Sequence, residues 1–84
     1  MESGDAQLVR SVLGGDRAAY ARLYDRYARW VRAICYDRTR SISDAQDLTQ
    51  EVFLRACVRL GELREPERFA AWLYSIARGQ RMAA

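Results

Sequence analysis

Between positions 43 and 60 the apolar residues recur three and four places apart, and no other feature limits the fold of this chain so tightly. Ala45, Leu48, Thr49, Val52, Phe53, Ala56 and Leu60 fall on one stripe, the face that a helix buries. With about 100° of turn per residue, Asp47, Gln50, Glu51, Leu54 and Val58 gather on the opposite side. A helix that only closed a core would carry interchangeable charges there. Two acids and an amide around two aliphatic side chains instead have the make-up of a docking surface, and they point to a protein partner.

The same period runs through the rest of the chain. Residues 17–38 read as one long helix with the stripe Tyr20, Leu23, Tyr24, Tyr27, Val31, Ile34 and Cys35, and with Arg22, Arg26, Arg29 and Arg32 on its other sides. Before it, residues 1–4 read as a loose terminus, and Asp5 is expected to cap a short helix with Leu8, Val9, Val12 and Leu13 on its apolar face. Gly14-Gly15 should stop that helix, and Asp16 is placed to cap the next. Residues 39–42 form a connection, after which Ser43-Asp44-Ala45-Gln46 has the capping-box pattern. Gly61 is expected to end the third helix, followed by a polar loop around an exposed Leu63. Pro66 suits the first turn of a fourth helix, whose core stripe is Phe69, Trp72, Leu73, Ile76 and Ala77. No stretch alternates as a strand does. The expected fold is all-α, a small bundle of three to four helices forming a single domain, because 84 residues suffice for one modest core only.

Composition narrows the function classes. There is no histidine, so the commonest general base and metal ligand is missing. Cys35 and Cys57 lack CxxC spacing and fall on or beside apolar stripes, which favours buried, reduced thiols over a metal site or disulfide. The carboxylates sit at helix starts or on outward positions, and no glycine-rich phosphate loop follows a strand. Catalysis is therefore not expected, nor is a cofactor, a metal or a small-molecule substrate. No apolar run approaches the roughly 20 residues of a membrane span, and no signal-peptide pattern opens the chain, so a cytoplasmic protein without a membrane partner is expected. All 14 basic residues are arginine and the net charge is +3, too small an excess to prove nucleic-acid binding. Opposite the core stripe of the fourth helix lie Ala71, Tyr74, Ser75 and Arg78, with Arg81 a turn further on. An aromatic, a hydroxyl and arginines on one strip can meet phosphates and stack on unpaired bases, or can form an ordinary solvated face. Trp72 belongs to the core by periodicity, although an indole at the edge of a small core can still expose one face.

Two segments together carry a resemblance. Asp44-Ala45-Gln46-Asp47-Leu48-Thr49-Gln50-Glu51-Val52-Phe53-Leu54-Arg55, followed after a short loop by Phe69-Ala70-Ala71-Trp72-Leu73-Tyr74-Ser75-Ile76-Ala77-Arg78, closely resembles region 2 of bacterial RNA polymerase sigma factors of the extracytoplasmic-function (ECF) group of the sigma-70 family. The resemblance implies that the first segment binds the clamp helices of the largest (β′) polymerase subunit, through Asp47, Gln50, Glu51, Leu54 and Arg55, with Val58 on the same stripe. It implies that the fourth helix recognises and melts the −10 promoter element on the non-template strand, with Trp72, Tyr74, Ser75, Arg78 and Arg81 as DNA contacts. The loop around Leu63, Arg64 and Glu65 would help to hold an extruded base. An anti-sigma protein covering these surfaces is a further partner that the resemblance allows.

The chain departs from the family pattern at Gly79, where asparagine is usual, and at Cys57, where tryptophan is frequent. Within these residues there is no region 4 helix-turn-helix domain of the kind that reads the −35 element. The expectation is a non-enzymatic transcription initiation domain. The alternative is an interaction domain that docks on polymerase or an anti-sigma factor without reading promoter DNA.

Overall fold

The computed structural model describes residues 4–79. Four α-helices follow one another: α1 (Gly4–Leu13), α2 (Arg17–Thr39), α3 (Ile42–Arg59) and α4 (Phe69–Ala77), with 3₁₀ turns at Leu60–Glu62 and Pro66–Arg68 between the last two. Among the described residues there is no strand, and no helix is long and apolar enough to cross a membrane. The all-α expectation holds.

Local chemistry accounts for the helix boundaries. Gly15 ends α1 at φ +99°, its N–H donating to the Val12 carbonyl while that of Asp16 donates to Ser11, the paired bonds of a Schellman cap. Asp16 then starts α2, one carboxylate oxygen accepting from the backbone N–H groups of Ala18 (2.9 Å) and Ala19 (3.3 Å). At the far end Arg40 turns into the left-handed region (φ 57°), and its N–H reaches the Tyr36 carbonyl.

Several boundaries differ from the sequence reading. Ser41, not Ser43, caps α3, accepting from the Asp44 N–H at 3.3 Å, so the connection shrinks to Arg40 and Ser41. The left-handed turn at Arg40 reverses the chain early enough for the helix to start at Ile42. Asp5 lies inside the first turn of α1 (Gly4–Leu13) rather than ahead of it, and α2 draws its carboxylate inward. Gly61 keeps φ negative within a 3₁₀ turn, so α3 tightens at its end rather than breaking on a glycine. Pro66 opens a separate 3₁₀ turn ahead of α4. Leu63, expected to be exposed, is half-buried and packs against the core, while Leu13 is exposed at the end of α1.

The core joins all four helices: Leu8 and Val9 from α1; Leu23, Val31 and Cys35 from α2; Val52, Phe53 and Ala56 from α3; Phe69, Leu73 and Ile76 from α4. Thr49 is wholly buried on the α3 stripe, and its hydroxyl donates to the Ala45 carbonyl at 2.7 Å, which removes the cost of burying it. A second buried polar group ties α1 to α2. Asp5, only 7% exposed, accepts from Arg26 Nη1 at 2.7 Å and from the Tyr27 hydroxyl. Cys35 lies in the core as expected, but Cys57 is exposed, because its place beside the stripe turns it outward next to Tyr20.

Candidate functional site

With its apolar stripe committed to the core, α3 holds the opposite stripe in solvent. Asp47, Gln50, Glu51, Leu54, Arg55 and Val58 are all exposed, as their spacing requires. Leu54 is 64% exposed and Val58 79%, one turn apart, so they form an apolar ridge along the helix. Glu51 and Arg55 form an i,i+4 ion pair at 2.9 Å beside that ridge, each about half exposed. The pair largely cancels its own charge, whereas no ion pair among the described residues engages Asp47. The outer face of α3 therefore carries two aliphatic side chains flanked by the Asp47 carboxylate, the Gln50 amide and a neutralised pair.

The second face belongs to α4. Tyr74 is exposed; Arg78 Nη1 donates to its hydroxyl at 3.1 Å, and the guanidinium carbon lies 5.4 Å from the ring centroid. Ser75 is half-buried, and its hydroxyl donates back to the Ala71 carbonyl at 3.3 Å. Trp72 is half-buried against the core, tilted against Phe69 with centroids 6.1 Å apart, so it serves packing and keeps part of its indole at the surface. In the preceding loop Arg64 is exposed, and Glu65 accepts from Arg68 Nε at 3.0 Å. Arg81 lies outside the described residues. Among the described residues expected to meet DNA, Tyr74 and Arg78 are hydrogen-bonded to each other, while Leu63 turns toward the core and Glu65 toward Arg68.

Two residues on α2 were missing from the sequence reading. Trp30 stacks on Tyr74, with centroids 5.7 Å apart and ring planes 17° from parallel. Arg38 Nη1 donates to the Ala77 carbonyl at 3.1 Å and so covers the last turn of α4. Tyr27 on Phe69 completes this α2–α4 seam. The available signal was a tryptophan one position off the apolar stripe, among arginines, where neither the core nor simple solvation calls for an indole.

Gly79 ends α4 in the left-handed region at φ +81°, and a Cβ there would lie 2.7 Å from Arg38 Nη2. The position that departs from the family pattern is thus the one at which α4 stops and α2 closes over it.

This sequence is similar to a family profile and to known proteins. The profile of the Sigma-70 region 2 family matches residues 23–82. The ECF RNA polymerase sigma factor BldN of Streptomyces coelicolor is 42% identical over 73 residues, covering 86% of this chain and 28% of the relative. The ECF RNA polymerase sigma factor SigW of Bacillus subtilis is 32% identical over 77 residues, covering 92% of this chain and 41% of the relative. The RNA polymerase sigma-H factor of Pseudomonas aeruginosa is 36% identical over 73 residues, covering 87% of this chain and 38% of the relative. The chain belongs to the sigma-70 region 2 family, in its extracytoplasmic-function group. It spans 28–41% of the length of these curated relatives.

Proposed function

We propose that this domain acts in transcription initiation, docking on RNA polymerase through α3 and meeting promoter DNA through α4. The observation that carries the reading is the Leu54–Val58 ridge, left in water by a helix whose other stripe is fully used. The occupant best suited to it is the β′ clamp-helix coiled coil, whose apolar and basic side chains would meet Leu54, Val58, Asp47, Gln50 and the Glu51–Arg55 pair. Such a role places the protein in the cytoplasm. On α4, Tyr74 and Arg78 supply a stacking ring and a phosphate-seeking cation, with Trp72, Ser75 and the 63–65 loop beside them in sequence, for the non-template strand of a −10 element. Holding the domain on polymerase offsets the few kcal/mol that extruding a base costs.

A second reading has its own support. Tyr74 and Arg78 bond to each other, and α4 stops at Gly79, so a domain that docks on polymerase or an anti-sigma protein without promoter reading fits these contacts.

Binding of the chain to an isolated clamp-helix fragment tests the docking claim. Leu54→Arg should weaken it by at least about 30-fold, the loss of an anchor worth about 2 kcal/mol. An unchanged affinity rejects α3 as the docking face. Promoter reading is tested with the domain bound to polymerase, comparing −10-type single strands with scrambled ones across a salt series. Binding that ignores sequence and vanishes with salt is electrostatic attraction only, and selects the second reading.

A further inference from the structure

Trp30 and Tyr74 leave two nearly parallel aromatic rings at the surface, each 39% exposed and neither part of the buried core. Tyr27 on Phe69 and Arg38 on the Ala77 carbonyl already join α2 to α4, and Trp30 also packs at a tilt on Tyr27 (centroids 5.7 Å), yet both stacked rings keep a large part of their surface in water. The rings come from different helices and share one orientation, which presents a stacked aromatic surface rather than two separate edges. Cations border it: Arg78 sits against Tyr74, Arg38 reaches from α2 to the Ala77 carbonyl at the end of α4, and Arg26 lies one turn before Trp30 on α2. Arg26 is paired with Asp5, and Asp37 is a carboxylate near the Arg38 end, so the free positive charge concentrates at Arg38 and Arg78.

Flat rings bordered by guanidinium groups suit one chemistry above others, an unstacked base with its phosphates on either side. We infer that Trp30 of α2 is a base-stacking residue, and that a single-stranded nucleic acid lies across the Trp30–Tyr74 pair rather than along α4 alone. The inference rests on the reading of α4 as a DNA-contacting helix and deepens it, by adding a second helix to the strand-binding surface. The internal engagement of Tyr74 by Arg78 leaves Trp30 as the ring with fewer polar ties and more π surface to offer.

The test uses the whole 84-residue chain and a short single-stranded oligodeoxynucleotide. Titration should quench tryptophan emission in the wild type, and Trp30→Phe should lose most of the quench while keeping affinity within about threefold, since a ring remains. Trp30→Ala should weaken binding about tenfold, the scale of one lost base stack. An oligonucleotide with abasic sites should bind without quenching. If Trp30→Ala binds as the wild type does while Arg78→Ala binds more weakly, the inference is overturned and the α4 reading stands by itself. If the wild type binds no single strand at any salt concentration, both fail together. Should Trp30→Ala not fold, the quench lost or kept by Trp30→Phe decides.

Discussion

Asp5 shows how a single contact sets the role of a side chain. Its carboxylate sits where a helix would place a cap, yet it is buried against α2 with Arg26 and Tyr27 as donors. The short-range pattern of an acid in a first turn is the same for a cap and for a buried anchor, and only a partner more than twenty positions away distinguishes them. Burial first, then the hydrogen bond to Asp5 and its charge, push the Tyr27 hydroxyl up to about 12 from 10.0, with Arg26 opposing. The folded chain therefore holds this proton at a pH where the unfolded chain has lost it. The contribution to stability is intact below pH 10 and falls away as pH rises towards 12. Tyr27→Phe should cost about 1–2 kcal/mol at neutral pH, because a buried carboxylate loses a donor. It should also make the alkaline loss of stability shallower than in the wild type. Urea unfolding followed by circular dichroism, at neutral pH and again near the upper end of that window, reads both effects.

At the scale of elements, the long helices were legible because an apolar period of three and four survives any choice of neighbours. Their ends were not, because a boundary depends on which of several adjacent polar residues finds a backbone N–H. Ser41 and Ser43 are equally good caps in the abstract; the left-handed turn at Arg40 selects the first. Ser41→Ala should destabilise the domain by about 1 kcal/mol, whereas Ser43→Ala should stay within about 0.5 kcal/mol. Thermal melts of the two variants decide the register of the cap. The end of α4 offers a sharper case. Gly79→Ala forces a side chain into the left-handed region and against Arg38, at a cost of about 1–2 kcal/mol from the backbone alone. Combining it with Arg38→Ala relieves the steric part, so the double variant should lose less stability than the sum of the two single ones.

For the whole molecule, what matters is the division between surface that folding uses and surface that it leaves. Leu73 is completely buried, and Leu73→Ala should cost about 2–5 kcal/mol, much of the stability a domain of this size has. Leu54→Ala should change stability by no more than about 0.5 kcal/mol, and a chemical denaturation series on the two variants checks the contrast. The α3 face could be read from the sequence because both of its stripes lie on one helix. The α2–α4 seam could not, since Trp30 and Tyr74 are brought together only by the way two distant helices pack. The two cysteines fall on opposite sides of the same division: Cys35 is sealed in the core, and Cys57 stands open on α3 beside Val58 and one turn from Leu54. The native chain thus carries a built-in handle. A thiol-reactive fluorophore or spin label should attach at Cys57 alone while the fold is intact, and from there report occupancy of the Leu54–Val58 ridge without any engineered residue.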